Sequence, residues 1–221
     1  MSSSLPSVRS PQDTESSVPG SLLAAQERLM SVAARPARIM VRGSGSYLWD
    51  HEGTRYLDFV QGWAVNALGH APPEIAVALQ TQAQTLISPS PAFHNAPQLK
   101  FGLELTQAAG LARAHFTNSG AEANEAALKL ARKWGRLHRG GAHQIITTLG
   151  SFHGRTLALM AASGKPGWDA LFPPIMPGFV KVPYGDSAAV EAQIGATTVA
   201  VMVEPIQGEA GVVVPPDGYL S

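Results

Sequence analysis

Apolar residues in the first third of the chain change their spacing at points that mark predicted elements. Apolar positions three to four residues apart predict an amphipathic helix over residues 21–34. Three short apolar runs follow at 39–41, 47–49 and 56–59, and polar turns that contain glycine separate them. Short strands joined by such turns are typical of a small antiparallel meander.

Strands and helices alternate through the rest of the chain. Helical spacing predicts one helix over 72–86 and another through Leu99 to Ala109. The later predicted elements are a strand near Phe116, a helix to His138, strands at 144–148, 179–182 and 198–203, helical turns after Gly154 and a helix at 187–194. Apolar strands that alternate with helices predict a mostly parallel sheet in an α/β architecture.

An octapeptide from Asn118 to Glu125 lies where the strand near Phe116 gives way to the long helix. Ser119 is a suitable N-cap, and Glu122 stands three residues on, at the spacing of a capping box. The backbone N–H groups around Gly120 and Ala121 then remain free, at the positive end of the helix dipole. These features predict an anion-binding cradle, although the same pattern also fits a purely structural helix cap.

A second group of polar and aromatic residues, 150–156, directly follows the predicted strand at 144–148. Ligands of open α/β sheets bind at the carboxyl ends of strands, so Phe152, His153 and Arg155 are expected at the same edge as the cradle. An aromatic face there can stack on a planar ring, and a guanidinium can bind a carboxylate through paired hydrogen bonds. The alternative interpretation makes Phe152 a core residue and Arg155 a surface ion-pair donor.

A third group, 203–209, ends the last predicted strand and carries Glu204 and Glu209 around a proline and a glycine. Two carboxylates in such a loop can pair with arginines or act as acid and base. Solvated loop residues are the simpler interpretation of these two positions taken alone.

Composition limits the class of protein. The chain has 221 residues, 45% of them hydrophobic and 14% charged, which is typical of a globular protein with a core. Lys plus Arg and Asp plus Glu are equal at 16 each, so no net charge favours a nucleic-acid partner. The chain contains no Cys, which excludes disulfides and thiolate metal sites and is compatible with our expectation of a cytoplasmic protein.

The N-terminal segment shows no targeting signal. Residues 1–20 are rich in Ser and Pro and lack the apolar stretch of a signal peptide, so we expect a disordered tail there. No apolar run in the chain approaches the roughly 20 residues that cross a bilayer, and we expect no membrane partner.

At the three groups of residues described above, the chain resembles the class III, fold type I aminotransferases that use pyridoxal phosphate, and most closely the acetylornithine aminotransferases. The resemblance covers about Val41 to Leu220. It includes the segments 47–50, 64–70, 118–125, 152–156 and 203–213.

The resemblance implies a fold and a division of the chain. After the tail, residues 21–86 would form an N-terminal segment of a helix and small antiparallel strands. Residues 87–221 would form the first part of the large cofactor-binding domain, a mostly parallel sheet with flanking helices.

The resemblance also implies roles for individual residues. The cofactor-binding set comprises Ser119, Gly120, Ala121, Phe152 and His153, with backbone at Gly120 and Ala121 on the phosphate and Phe152 stacked on the pyridine ring. The substrate-binding set comprises Arg155, Glu204 and Glu209, with Arg155 on a carboxylate. Many acetylornithine enzymes have Thr where Ala121 stands, so one hydroxyl contact is missing here.

The implied reaction transfers the side-chain amino group of acetylornithine to 2-oxoglutarate, as in arginine biosynthesis. The partners are then small amino and oxo acids together with a second copy of the chain, because the family forms homodimers. Ornithine, 4-aminobutyrate and succinylated diaminopimelate remain alternative amino donors.

The Schiff-base lysine of the family lies beyond the segment matching 203–209, so we expect it beyond Ser221, the last residue of this sequence. The lysines present, Lys100, Lys129, Lys133, Lys165 and Lys181, all precede that segment, and none stands in the family's lysine context. We therefore assign no catalytic residue to the chain and expect the polypeptide to be inactive by itself. The alternative function is a non-catalytic truncated product with at most weak phosphate or partner binding.

The strand near Phe116 would also lack its neighbours, because in the resembled fold it reaches the sheet through strands that would come after Ser221. We therefore expect that the polypeptide alone does not fold stably.

Overall fold

A computed structural model of the chain describes residues 20–221, without the side chains of Ser21 and Leu23. The predicted disordered tail lies outside the described residues except for Gly20. The chain divides between Ala96 and Pro97 into two compact units, ten residues after the boundary predicted at 86.

The first unit begins with a helix that is shorter than predicted. Helix α1 (Gly20–Ala24) continues as a single 3₁₀ turn (Ala25–Arg28), and no regular helix follows it up to residue 34. The prediction of a helix to residue 34 is therefore wrong. Met30 and Val32 are 83% and 73% exposed, so the apolar face has no packing partner, and short helices without one are marginal in water.

The predicted meander is confirmed. Strands β1 (Met40–Ser44), β2 (Tyr47–Asp50) and β3 (Arg55–Leu57) form an antiparallel sheet in the order β1-β2-β3.

The buried carboxylate of Asp50 fixes the turn between β2 and β3. It accepts hydrogen bonds from the Tyr56 hydroxyl at 2.7 Å, the Arg38 guanidinium at 3.0 Å and the backbone N–H groups of Thr54 and Glu52 at 2.9 and 3.0 Å. These donors, Tyr56 first, lower the pKa of Asp50 to about 2. The carboxylate is therefore ionised at neutral pH although the residue is buried.

A left-handed turn follows β3 and was missed by the sequence analysis. In α2 (Gln61–Ala64) the φ angles run from 49° to 67°, a conformation that costs about 1–2 kcal/mol for each residue with a side chain. Asp58 supports the turn, because its carboxylate accepts the N–H groups of Val60 and Gln61. The other carboxylate oxygen lies 2.6 Å from Nε2 of His70, and this contact lowers the pKa of Asp58. Helix α3 (Pro73–Thr85) follows, as predicted.

The second unit contains the predicted alternation of strands and helices. Its elements are α4 (Ala96–Ala109), α5 (Gly120–His138), β4 (Gln144–Thr148), α6 (Leu157–Ala162), a 3₁₀ turn (Trp168–Ala170), β5 (Phe179–Val182), α7 (Ser187–Gln193) and β6 (Thr198–Val201). The three strands form a parallel sheet in the order β5-β4-β6, which confirms the predicted architecture.

The strand predicted near Phe116 is absent. Residues 114–116 form no strand, and no strand within residues 20–221 pairs with them. A β-strand requires a neighbour to bond its backbone, so the apolar pattern alone does not produce one. The Phe116 ring instead packs against Phe101, with the ring centroids 5.4 Å apart.

The last described residues, 216–221, form a short turn. The backbone N–H of Ser221 donates to the carbonyl of Gly218 at 3.4 Å, and the N–H of Tyr219 donates to the carbonyl of Pro216 at 3.2 Å. The Tyr219 ring packs edge-on against Tyr184, with the centroids 5.4 Å apart. This turn is therefore tied to the loop that follows β5.

The core of the second unit lies between β4 and the helices α5 and α6. Ile145 packs with Leu128 and Leu159 in one buried cluster. Gly135 brings α5 close to the chain ahead of β4. A Cβ on Gly135 would overlap the carbonyl oxygen of Ala142 and lie 2.8 Å from a methyl group of Val199. The short distance between α5 and the sheet therefore requires a residue without a side chain at position 135.

We expect Gly135→Ala to destabilise the second unit by about 1–3 kcal/mol, the cost of overpacking a close-packed contact. The matched control is Gly102→Ala in α4, where a Cβ would meet only Phe116 ring carbons, the nearest at 3.7 Å. That substitution should stabilise by about 0.5–1 kcal/mol, because Ala is the better helix former. Urea unfolding of the full-length protein measures both changes in the free energy of unfolding. Changes of the same sign in the two variants would contradict this explanation of Gly135.

Candidate active site

The start of α5 has the predicted capping box. The Ser119 hydroxyl accepts the backbone N–H of Glu122 at 3.2 Å and lies 3.3 Å from its carboxylate. The Asn118 amide donates to the same carboxylate at 3.4 Å. This amide and the neighbouring N–H groups lower the pKa of Glu122, so an anionic side chain completes the cap.

Two donors at this helix start remain free. The backbone N–H groups of Gly120 and Ala121 have no acceptor within the described part of the chain. A Cβ on Gly120 would meet nothing within 4 Å, so open space lies in front of the helix end. Free N–H groups, the helix dipole and open space together suit an anion such as a phosphate.

The loop after β4 is closed by its own backbone. The N–H of Gly150 donates to the carbonyl of Gly164 at 2.9 Å, and the N–H of Gly164 donates to the carbonyl of Ser151 at 3.1 Å and to its hydroxyl at 3.0 Å. These bonds join the two ends of the segment 150–164. Phe152 and Arg155 therefore project from a loop with a fixed base.

The same loop is attached to the start of α5. The Asn124 amide donates to the carbonyl of His153 at 2.7 Å, and the Thr156 hydroxyl donates to the Glu125 carboxylate. Gly154, with a φ of 138°, approaches Ala121 closely. The first two sequence groups thus meet at one edge, as predicted.

His153 lies beneath the surface of this loop and is 4% exposed. Its ring atom Nε2 is buried and has no hydrogen-bond partner among the described residues. Burial lowers the pKa of His153, which favours the neutral imidazole at neutral pH. Direct contact between His153 and a cofactor stays a prediction.

The loop after β6 joins the same edge. The half-buried carboxylate of Glu204 accepts the backbone N–H of Phe152 at 3.0 Å, and burial raises the pKa of Glu204. Gln207, which the sequence analysis did not single out, is 3% exposed. Its amide donates to the Thr148 hydroxyl at 3.1 Å and to the Leu149 carbonyl at 2.9 Å. The third sequence group is thereby fixed to the end of β4.

Phe152 is surrounded by an aromatic ring and two cations. The Trp168 ring lies edge-on with its centroid 6.0 Å away. Nζ of Lys165 lies 5.0 Å and Cζ of Arg155 lies 5.6 Å from the Phe152 centroid. Lys165 also pairs with Glu209. Lys165 and Trp168 were not predicted as site residues, because they follow α6 in the sequence and contact Phe152 only once the loop 150–164 is closed.

Arg155 differs from Lys165 in having no acidic partner among residues 20–221. Within these residues Arg155 therefore forms no surface ion pair. The site combines two free N–H groups, a half-buried aromatic ring and an unpaired guanidinium. This set suits a ligand with a phosphate, a flat ring and a carboxylate nearby.

The comparison with known proteins defines the class. The family "Aminotransferase class-III" matches residues 29–221, and the chain belongs to this family. Class III aminotransferases depend on pyridoxal phosphate. Its contacts with the helix start and with Phe152 stay predictions.

Two curated relatives are similar to this chain over most of its length. The acetylornithine aminotransferase 2 of Bordetella bronchiseptica is 60% identical over 84% of this chain and 47% of its own length. The acetylornithine aminotransferase of Myxococcus xanthus is 42% identical over 100% of this chain and 55% of its own length. The chain thus spans about half the length of the curated relatives it matches.

Solved structures share the fold. The ornithine aminotransferase from Toxoplasma gondii matches with a TM-score of 0.84 at 32% identity, covering 95% of this chain and 50% of that one. The acetylornithine aminotransferase from Elizabethkingia anophelis matches with a TM-score of 0.73 at 33% identity, covering 90% of this chain and 47% of that one. The chain therefore has the fold of part of a fold type I aminotransferase.

The position of the Schiff-base lysine beyond Ser221 stays a prediction. The family match reaches Ser221, and the relatives extend over about twice the matched length. Within residues 20–221, Lys165 is the lysine that contacts Phe152, and its ammonium is paired with Glu209. No catalytic residue is therefore assigned to the described part of the chain.

We expect Ser119→Ala to weaken binding of pyridoxal phosphate, because losing the cap loosens the helix end that presents the free N–H groups. The matched control is Asp186→Ala, which removes the N-cap of α7, where the carboxylate accepts the Ala189 N–H at 2.9 Å. Each substitution should cost about 1 kcal/mol of stability. Titration of the cofactor-free full-length protein with pyridoxal phosphate should show weaker binding only for Ser119→Ala. Equal affinities of the two variants would contradict the prediction that the start of α5 binds the phosphate.

Proposed function

We propose that the protein containing this chain is a pyridoxal-phosphate-dependent transaminase that transfers the side-chain amino group of N-acetylornithine to 2-oxoglutarate, the arginine-biosynthetic type of reaction. One observation carries the proposal. The capped start of α5, the Phe152 ring and the unpaired Arg155 meet at the carboxyl ends of β4 and β6. The names of the relatives support the amino donor.

Different residues of the second unit would bind different parts of the cofactor. The N–H groups of Gly120 and Ala121 would hold its phosphate, and Phe152 would lie against its ring. When bound, the cofactor supplies an electron sink at the carbon that loses a proton. His153, the next residue along the chain, is buried, and burial lowers its pKa, which favours the neutral imidazole.

Arg155 would bind a substrate carboxylate. Its guanidinium is exposed and carries no competing ion pair within the described residues, so two parallel N–H donors are available. Glu204 and Glu209 would line the same site. Burial raises the pKa of Glu204, which disfavours the charged form of this side chain.

A homodimer and a cytoplasmic location belong to the same proposal and rest on the family resemblance. Large apolar side chains such as Phe59 and Trp63 are 89% and 75% exposed, which supports a partner surface in the complete protein. No helix within residues 20–221 has the length and apolar character to span a bilayer.

The experiment that tests the function uses the full-length protein. N-acetylornithine, ornithine, 4-aminobutyrate and succinylated diaminopimelate are offered separately with 2-oxoglutarate, and glutamate formation is followed. We expect N-acetylornithine to give the highest kcat/KM, and borohydride to trap the cofactor on a lysine beyond Ser221. Absence of glutamate with all four donors, and no cofactor trapped on any lysine, would instead support the non-catalytic alternative.

We expect Arg155→Ala to lower kcat/KM roughly 30- to 800-fold, or about 2–4 kcal/mol, because paired charge-assisted hydrogen bonds to the carboxylate are lost. The affinity for pyridoxal phosphate should change little. Arg136→Ala serves as the control, since Arg136 is exposed in the last turn of α5. An unchanged kcat/KM for Arg155→Ala would remove Arg155 from the substrate site.

A further inference from the structure

We infer that Asn124 is a positioning residue for Arg155, because its side-chain amide fixes the part of the loop after β4 that carries the guanidinium. The inference rests on the proposed function, since Arg155 is the residue proposed to bind the substrate carboxylate. Phe152 lies in the same loop, but its position depends on other contacts.

Hydrogen bonds to elements other than α5 fix the first part of this loop. The Glu204 carboxylate accepts the backbone N–H of Phe152 at 3.0 Å. The backbone N–H of His153 donates to the Ser163 hydroxyl at 2.9 Å. The Phe152 ring therefore projects from a backbone that is bonded at two successive N–H groups without any contribution from Asn124.

The next residues of the loop are bonded to α5 instead. The Asn124 amide donates to the carbonyl of His153 at 2.7 Å, and the Thr156 hydroxyl donates to the Glu125 carboxylate. Arg155 lies between these two bonds, and its own backbone N–H has no acceptor within the described part of the chain. The course of the chain at Arg155 is therefore set by the contacts that His153 and Thr156 make with one helix.

Helix α5 presents the groups that make these contacts on one face. Ala121, Asn124 and Glu125 stand three and four residues apart, and helix positions at that spacing lie side by side. A Cβ on Gly154 would lie 3.1 Å from the Cβ of Ala121, so loop and helix are in close contact. This closeness allows the short Asn124 side chain to reach the loop backbone.

Loss of the Asn124 amide would leave the His153 carbonyl without its donor, and Arg155 would keep a single bonded neighbour on α5. Paired hydrogen bonds between a guanidinium and a carboxylate require a defined direction of both N–H groups, so a looser backbone weakens them. The backbone contacts that fix Phe152 would remain. Substrate binding and cofactor binding should therefore respond differently to one substitution, which a general loss of stability would not produce.

The first measurement is binding of N-acetylnorvaline to the cofactor-loaded full-length protein. This compound is N-acetylornithine without the reacting amine, so it presents the carboxylate and cannot be converted. Asn124→Leu removes the donor and keeps a side chain of similar size. We expect it to weaken binding about three- to tenfold, the value of one hydrogen bond between neutral groups. Asn124→Ala is the second variant and should give the same result.

The second measurement compares two amino donors that differ only in the carboxylate. N-acetylputrescine is N-acetylornithine with a hydrogen atom in place of that group. Asn124→Leu should lower kcat/KM for N-acetylornithine about three- to tenfold and change kcat/KM for N-acetylputrescine by less than about twofold. Binding of 4-deoxypyridoxine 5'-phosphate, a cofactor analogue without the aldehyde, to the cofactor-free protein should also change by less than about twofold.

Arg132→Leu is the matched control. Arg132 lies on the same helix, and its guanidinium donates to the carbonyl of Pro177 at 2.9 Å, outside the loop after β4. This substitution should lower the free energy of unfolding, as Asn124→Leu does. It should leave kcat/KM for both donors and the affinity for both ligands unchanged.

Two results would overturn the inference. One is unchanged binding of N-acetylnorvaline in both Asn124 variants, and the other is an equal loss of kcat/KM for the two donors. If the unmodified protein neither binds N-acetylnorvaline nor distinguishes the two donors, the proposed role of Arg155 fails together with this inference. If the unmodified protein does both and the Asn124 variants match it, this inference alone fails.

Discussion

The site depends on one backbone contact, the pairing of Gly164 with Gly150 and Ser151 at the end of β4. This contact folds the segment 150–164 back on itself, so that α6 packs beside β4, the strand that precedes the loop. Glycine is required at 164, because any side chain would overlap the Thr148 backbone. Once the loop is closed, Phe152 projects from one of its ends and Lys165 follows the other.

The neighbouring elements then attach to this closed loop through polar contacts of high sequence separation. Asn124 on α5 bonds to the carbonyl of His153, and Glu204 after β6 bonds to the N–H of Phe152. Gln207 bonds to the end of β4 itself. Hydrogen bonds of this kind, buried or partly buried, stabilise by about 1 kcal/mol each but are costly to leave unmade, so they fix the positions of α5 and of the loop after β6 relative to the closed loop.

Sequence patterns predicted what local interactions determine. The capping box at Ser119 involves residues three apart, and the strands at 144–148 and 179–182 are short segments rich in β-branched and aromatic residues, so all three were predictable. Features that depend on tertiary contacts were not predicted. Residues 114–116 have no strand partner within residues 20–221. Nζ of Lys165 reaches Phe152 through the fold, which spacing along the chain does not reveal.

Two buried polar atoms of β4 and the loop after it lack hydrogen-bond partners among the described residues. Oγ1 of Thr147 on β4 and Nε2 of His153 in the following loop both lie in the interior without a hydrogen bond in the described part of the chain. Leaving such a group unpaired costs about 1–3 kcal/mol. The free N–H groups of Gly120 and Ala121 lie at the helix to which this loop is attached. Unsatisfied groups thus lie in β4, in the loop that follows it and at the helix start to which that loop is attached.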